Sequence, residues 1–196
     1  QMGVPVVSAD AIVADLYAPG GAGSQWIGRL HGGSLLEADG AVNRKALLAA
    51  MQQDMVLRRD VEQVVHALTR QALEDFWRRA EAAGAPLAAA EIPLYFECSW
   101  QQLFSPPPLT VGVSCPLPLR SARTAETRGW DQEKMAAIES WQWPEDRKMA
   151  ACDVVLKNDK DLQHLKNEAL CLLERLRLHD QKKRQELFQR LNLLWI

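Results

Sequence analysis

Apolar and β-branched residues gather in four short stretches of the chain. The first is Val4 to Val7, and it runs directly into Ser8, Ala9 and Asp10. Proline, glycine or a charged turn bounds each stretch, as is usual for strands. The pattern therefore predicts four strands, at residues 4–7, 87–97, 109–115 and 153–159.

Between these stretches, apolar residues recur three and four positions apart, which is the spacing of one helix face. The clearest example includes Val61, Val65 and Leu68, and Asn43 is placed to cap the helix that follows it. The predicted helical segments are 9–17, 23–33, 44–82 as one or two helices, 117–127, 131–141 and 160–195. Strands that alternate with helices predict an α/β fold, with a parallel sheet and helices on both faces.

The composition narrows the class of protein. The chain of 196 residues is 47% hydrophobic and can bury a sizeable core, and its formal net charge of −2 gives no overall attraction to nucleic acid or to a membrane. Its apolar runs fall short of the roughly 20 residues of a membrane span. The 4 cysteines form no CxxC pair and do not cluster with the histidines, so we expect reduced thiols, no metal site and a cytoplasmic location.

Asp10 is the first candidate for chemistry. It follows the first predicted strand, and open α/β sheets bind ligands beyond the carboxyl ends of their strands. A carboxylate in that place can accept a hydroxyl proton or hold a magnesium ion. The alternative is that Asp10 caps the helix that begins there.

Charged residues in two later segments are also candidates. Glu97 comes four residues after Pro93, where the second predicted strand meets a proline, and the alternative is a solvated glutamate in a turn. In the segment 122–159, Arg123 and Arg128 flank an acidic stretch, and Lys148 follows a predicted helix. Cationic residues on a mobile helical flap suit phosphoryl transfer, because they neutralise phosphate charge and exclude water. The alternative is an exposed helix with ion pairs.

His66 and Arg70 lie four residues apart in the longest helical stretch. That spacing places both side chains on one helix face. A histidine in such a place is usually solvated or hydrogen-bonded to a neighbour. The pair therefore indicates a binding site only if an anion binds beside it.

Five segments, taken in order along the chain, resemble the motifs of the dephospho-coenzyme A kinase family. They are "VPVVSADAIV", "GGSLLEADGAVNRKAL", "VVHALTRQ", "IPLYFE" and "ESWQWPEDRKMAACDVVLKND". The matched positions are Asp10, Arg44, His66, Arg70, Glu97, Gln142, Lys148, Asp153 and Asn158. No single segment is diagnostic, but five in order are specific.

The resemblance implies a P-loop kinase fold, in which a parallel sheet carries a helical substrate-binding part and a lid. It implies that ATP, with Mg²⁺, phosphorylates the ribose 3′-hydroxyl of dephospho-coenzyme A, which is the last step of coenzyme A synthesis. Asp10 matches the family's proposed base. The resemblance assigns Arg44, His66, Arg70 and Glu97 to the substrate, and Arg123, Arg128, Lys148 and Asn158 to the nucleotide and its phosphates.

The chain departs from the family pattern at several positions. Ser8 stands where the family has an acid, Ala67 replaces a proline and Tyr95 replaces a leucine. The spacing from Arg123 to Arg128 is one residue longer than usual. The phosphate-binding G-x-x-x-x-G-K-[ST] loop is absent from the printed sequence. We therefore expect that the first βα unit, which carries this loop, is missing before Gln1, and that the chain as printed is nearly inactive.

The expected organisation is a kinase core over 1–159, followed by a C-terminal helical segment over 160–196. Within the core, the substrate-binding helices fall at about 44–82 and the lid at about 120–148. Two other functions remain open. The chain could be a non-catalytic relative that binds coenzyme A or a protein partner, or residues 160–195 could dock on a partner or a membrane surface.

Overall fold

The computed structural model describes residues 3–102, 104–105, 107–140 and 142–193, with side chains described as far as residue 182. Its backbone contacts divide the chain into two compact units, Gln1–Pro93 and Leu94–Ile196. Each unit contains a two-stranded parallel sheet together with helices. The α/β class that the sequence predicts is thus confirmed. In the described part of the chain, no helix is both long and apolar enough to cross a membrane.

The first unit holds the N-terminal strand and the longest helix of this half. Its sheet pairs β1 (Val6–Ser8) with β2 (Ala89–Glu91), in a register that sets Val6 against Ala89. Between the two strands lie α1 (Ala9–Tyr17), α2 (Ala22–His31), a 3₁₀ turn (Gly32–Leu35), α3 (Arg44–Gln53) and α4 (Met55–Ala82). One cluster of buried core residues consists of Ile27, Leu35, Val42, Leu47, Leu57, Val61 and Val65.

Capping residues set the limits of α3 and α4. The side chain of Asn43 accepts a hydrogen bond from the backbone N–H of Ala46, which confirms the predicted cap. The predicted stretch 44–82 is two helices, because Asp54 has an extended backbone and caps the second helix through the N–H groups of Val56 and Leu57. The buried apolar residues then fall on the inward face of α4.

The second unit begins with a 3₁₀ turn (Trp100–Gln102) and a sheet that pairs β3 (Val111–Ser114) with β4 (Val154–Lys157). Between these strands lie α5 (Leu117–Arg128), α6 (Gln132–Glu139) and α7 (Glu145–Ala151), and after β4 comes α8 (Leu162–Leu193). Three of these strands lie within the predicted stretches, and β1 overlaps the first stretch and ends one residue beyond it, at Ser8. The helix predicted over 160–195 is present as α8, and residues 194–196 lie outside the described part.

Helix α7 is an element that the apolar pattern did not predict. It packs against β3 at Gly112, where a Cβ atom would lie 2.8 Å from the Met149 sulfur and 2.9 Å from the Cys152 sulfur. Glycine at this position therefore lets the helix approach the strand closely. Just before the two strands, the Asp153 carboxylate accepts hydrogen bonds from the N–H and hydroxyl of Thr110, which ties the starts of β3 and β4 together.

Candidate functional site

Asp10 lies immediately beyond the carboxyl end of β1. It is the second residue of α1, its side chain is exposed, and its carboxylate has no hydrogen bond or ion pair to another described residue. Ser8 occupies the N-cap position, so the alternative that Asp10 caps the helix is wrong. The carboxylate lies in the first turn of α1, where the helix dipole favours a negative charge. It is therefore a carboxyl group that is open to a ligand.

Arg44 is the first residue of α3 and is exposed. Its guanidinium lies 5.6 Å from the centre of the Tyr17 ring. Burial raises the pKa of the Tyr17 hydroxyl, and the positive charge of Arg44 offsets part of that rise. The aromatic ring thus fixes one side of the guanidinium, while the side chain remains accessible to an anion.

His66 and Arg70 share an exposed face of α4, as their spacing predicts. Arg70 forms a surface ion pair with Glu74 on the next turn, with 3.5 Å between Nε and Oε1. Pairs of this kind contribute little to stability, since water screens both charges. An anionic ligand could compete for this guanidinium at small cost.

Glu97, Lys148 and Gln142 form one polar cluster in the second unit. Lys148 Nζ lies 2.8 Å from Glu97 Oε1 and donates a hydrogen bond of 2.8 Å to Gln142 Oε1. Glu97 Oε1 also accepts the backbone N–H of Trp143 at 2.8 Å. The structure therefore brings together three residues from two separate motifs, which the sequence alone did not link.

The Glu97 carboxylate is ionised near neutral pH although it is largely buried. Burial alone raises its pKa, but the hydrogen bonds from Lys148 and the Trp143 N–H, with the Lys148 charge, outweigh that effect and hold the pKa below its ordinary value. Glu97 and Lys148 therefore face each other as a desolvated ion pair. Such a pair needs good geometry to offset the loss of hydration.

Arg123 and Asn158 form a second polar cluster. Arg123 Nη1 donates to the Asn158 side-chain oxygen at 2.8 Å and to the Asn158 carbonyl oxygen at 3.2 Å. Its Nη2 donates to the carbonyl oxygen of Lys160 at 2.6 Å. Arg123 thus ties α5 to the loop that follows β4, and its guanidinium is already well supplied with acceptors.

Arg128 has different surroundings from Arg123. It ends α5, is exposed, and lies over the Trp130 ring with 5.0 Å between the guanidinium carbon and the ring centre. Lys134 lies 5.2 Å from the same ring. Of the two predicted lid arginines, Arg128 is therefore the one whose charge is more open to solvent.

Arg120 is a functional candidate that the motifs did not single out. Its Nη1 forms an ion pair of 2.6 Å with Glu145, and its Nη2 forms one of 2.7 Å with Glu139. Burial lowers the pKa of the guanidinium, but the hydrogen bonds and charges of the two glutamates raise it overall. One arginine of α5 therefore binds the end of α6 and the start of α7. Only the pairing of opposite charges within 120–148 could have suggested it.

A cavity of about 350 Å³ lies beside these two ion pairs in the second unit. Its wall includes the polar side chains of Arg120, Glu139, Gln142 and Lys148 and the rings of Trp130 and Trp143. Polar groups on apolar and aromatic walls are typical of small-molecule sites. Among the described residues, no group of three or more His, Cys, Asp or Glu side chains could hold a metal ion.

The comparisons with known proteins agree with one another. The family model described as dephospho-CoA kinase matches residues 1–164. A dephospho-CoA kinase of Gloeobacter violaceus is 35% identical over 164 residues, which cover 84% of this chain and 77% of that protein. One from Anaeromyxobacter dehalogenans is 33% identical over 175 residues, which cover 89% of this chain and 82% of that protein.

Two solved structures resemble the fold. A crystal structure from Thermus thermophilus has a TM-score of 0.72 and 30% identity, and the match covers 89% of this chain and 85% of that one. A dephospho-CoA kinase from Campylobacter jejuni has a TM-score of 0.64 at 18% identity, over 91% of this chain and 88% of that one. At that low identity, the second likeness concerns the fold alone.

Proposed function

The chain belongs to the dephospho-CoA kinase family, and from that premise we propose that it transfers the γ-phosphoryl group of ATP to the ribose 3′-hydroxyl of dephospho-coenzyme A. The observation that carries the proposal is the exposed Asp10 carboxylate at the carboxyl end of β1. An acid at this point of a parallel sheet is placed for chemistry on a bound ligand.

In the proposed reaction, the 3′-hydroxyl oxygen forms a bond to the γ-phosphorus, and Asp10 accepts the proton that this hydroxyl loses. The bond between the γ-phosphorus and the β–γ bridging oxygen breaks, and ADP leaves. Phosphoryl transfer needs little covalent chemistry from the protein, so positioning and charge stabilisation supply most of the rate.

The basic and polar residues divide between the two substrates in this proposal. Arg44, His66 and Arg70 are exposed on α3 and α4 and would bind the anionic groups of dephospho-coenzyme A. Arg128 and Lys148 would face the nucleotide phosphates. Arg123 and Asn158 would shape the nucleotide side through the loop after β4, to which Arg123 is bonded.

The lid would be the segment of about 120–148, which contains most of α5, all of α6 and the start of α7. Its base is held by the ion pairs of Arg120 with Glu139 and Glu145. A closed lid excludes water from the reacting phosphoryl group, and this strengthens every charge interaction inside the site.

A magnesium ion fits the residues that are present. Mg²⁺ prefers oxygen ligands, keeps several waters and is often held by one or two carboxylates together with substrate phosphates. The Asp10 carboxylate has no partner among the described residues, so it can supply one oxygen ligand to the ion. Among the same described residues, no group of three or more His, Cys, Asp or Glu side chains could hold the ion by itself. When bound, the ion would neutralise charge on the β- and γ-phosphates.

The direct test is the release of ADP from ATP by the full-length protein, in the presence of Mg²⁺ and dephospho-coenzyme A, because we expect little activity from the chain as printed. We expect release to depend on dephospho-coenzyme A and to disappear with coenzyme A itself, whose 3′-hydroxyl is already phosphorylated. The product should carry one added phosphate by mass spectrometry. Saturable binding of dephospho-coenzyme A without any ADP release would contradict the proposal and support the non-catalytic alternative.

A further inference from the structure

The Glu97 carboxylate has neither oxygen available to an outside ligand. Oε1 already accepts the Lys148 ammonium and the Trp143 N–H, both at 2.8 Å. Oε2 is buried and has no hydrogen-bond partner among the described residues. The Glu97 side chain is only 12% exposed. A carboxylate could accept hydrogen bonds from the hydroxyl, amide and amino groups of dephospho-coenzyme A, but Glu97 presents no accessible oxygen to them.

Lys148 is held by acceptors that come from two sides. Glu97 lies in the turn that follows β2, and Gln142 precedes α7, and each accepts a hydrogen bond from Nζ. A lysine side chain is flexible and carries considerable rotamer entropy when it is unpaired. The two acceptors therefore select one position for the ammonium group, and the Lys148 side chain is only 16% exposed in that position.

The same carboxylate fixes the backbone before α7. The Trp143 N–H that donates to Glu97 lies two residues before the helix begins at Glu145. The Phe96 ring, next to Glu97 in sequence, stacks on the Trp143 ring with centres 5.7 Å apart and planes 15° apart. The peptide that leads into α7 and the lysine in its last turn are thus anchored to one side chain.

We propose that Glu97 is a positioning residue for Lys148 and not a ligand of dephospho-coenzyme A. It acts on the nucleotide side of the reaction, by holding Lys148 and the start of α7 where the lysine meets the phosphates of ATP. This inference rests on the proposed function for the role of Lys148, and it assigns to Glu97 a different substrate from the one that the family resemblance implies.

A double-mutant cycle tests the proposal. The variants are Glu97→Gln, which keeps the size of the side chain and an acceptor for the Trp143 N–H, Lys148→Met and the double variant. We expect Glu97→Gln to raise the KM for ATP by about tenfold, with the KM for dephospho-coenzyme A changed less than about twofold. In the Lys148→Met background, the same change should add less than about twofold.

Matched controls remove exposed charges on α8, where Glu174→Gln and Lys166→Met should leave both KM values unchanged. Glu97→Asp, which keeps the charge, should recover part of the affinity for ATP. Thermal unfolding of every variant separates loss of fold from loss of position.

Three results would overturn the proposal. The first is a rise in the KM for dephospho-coenzyme A instead of ATP, which would make Glu97 a substrate ligand. The second is a full additional effect of Glu97→Gln in the Lys148→Met background. The third is a lower melting temperature of Glu97→Gln with both KM values unchanged, which would show that Glu97 only stabilises the fold.

The dissociation constant of ATP, measured by calorimetry across the same cycle, keeps this inference separate from the proposed function. If the unmodified full-length protein releases no ADP with dephospho-coenzyme A, the proposed function fails, whereas inactivity of the chain as printed does not decide it. Coupling between Glu97 and Lys148 in ATP binding would still support the positioning role, and its absence there would refute it.

Discussion

Apart from Arg128, which is exposed, the candidate residues before Pro93 and those after it lie in opposite kinds of surroundings. The exposed set lies on helix surfaces open to solvent; it consists of Asp10, Arg44, His66 and Arg70. The bonded set is partly buried and its members bind one another; it consists of Glu97, Arg123, Lys148 and Asn158. The sequence motifs identified the residues of both sets as site residues. Only burial and bonding in the structure distinguish one set from the other.

This difference separates effects on catalysis from effects on stability. A charge in the exposed set is hydrated in the folded and unfolded protein, so its removal should change kinetics with little change in stability. A charge in the bonded set has lost part of its hydration and gained specific partners. Its removal leaves those partners unsatisfied, so stability and kinetics should change together.

The largest effect should come from the exposed set, in Asp10→Asn. Loss of a general base typically lowers kcat by about 10²–10⁴-fold. The melting temperature should hardly change, because no described residue pairs with the carboxylate. Asp15→Asn, an exposed acid on the same helix, is the control and should retain full activity. A loss of less than about tenfold in kcat would show that Asp10 is not the general base and that its charge only stabilises the start of α1.

The second effect compares the two lid arginines. Arg123→Met should destabilise the protein by about 1–3 kcal/mol, because the oxygens of Asn158 and Lys160 lose a charged donor. Arg128→Met should change stability by less than about 0.5 kcal/mol and should raise the KM for ATP. Urea unfolding and steady-state kinetics of both variants make the comparison. Equal free energies of unfolding for the two variants would show that the hydrogen bonds of Arg123 do not stabilise the folded protein.

A third, smaller effect concerns the exposed face of α4. Arg70→Met should raise the KM for dephospho-coenzyme A by about tenfold, the loss expected for one charged contact. The control is Arg58→Met, because Arg58 forms the same kind of surface pair, with Glu62 on the next turn. Both variants lose one i,i+4 ion pair of about 0.3–0.5 kcal/mol, so only binding should distinguish them. If Arg58→Met weakens binding as much, the role of Arg70 reduces to general surface charge.

The smallest effect is the pH dependence of stability that Glu97 adds. Its pKa in the folded protein lies below the ordinary value of 4.5, so its contribution is complete above that value and is lost as the pH falls through the lower folded pKa. The stability gap between the unmodified protein and Glu97→Gln should therefore narrow as the pH falls below 4.5. Denaturant unfolding at several pH values measures the gap. A gap that stays constant with pH would mean that the pKa is not depressed.

Elements with a strong local signal could be predicted from the sequence. The four strands, the cap at Asn43 and the long helix after Asp159 lie where the pattern of residues places them. Helix α7 could not be predicted in this way, because its 7 residues are too few to show a periodic apolar face. It is held by packing on Gly112, which is distant in sequence.

The candidate site divides in the same way. The side-chain types and their order identified the family, and local spacing placed His66 and Arg70 on one face, since three and four residues make one turn. The sequence assigned Glu97 to the substrate by resemblance, and its pairing with Lys148 was not visible. The ion pairs of Arg120 with Glu139 and Glu145 could not be predicted either, because these residues are distant in sequence.

The sequence by itself determined the local elements, their caps and the family, because propensity, periodicity and motif order act over a few residues at a time. Only the tertiary structure decided which charges are bonded and which are open. Arg123 meets Asn158 across 35 residues, and Glu97 meets the Trp143 N–H across 46. Such contacts form only after the chain has folded, and burial then determines how strongly each charge depends on its partner.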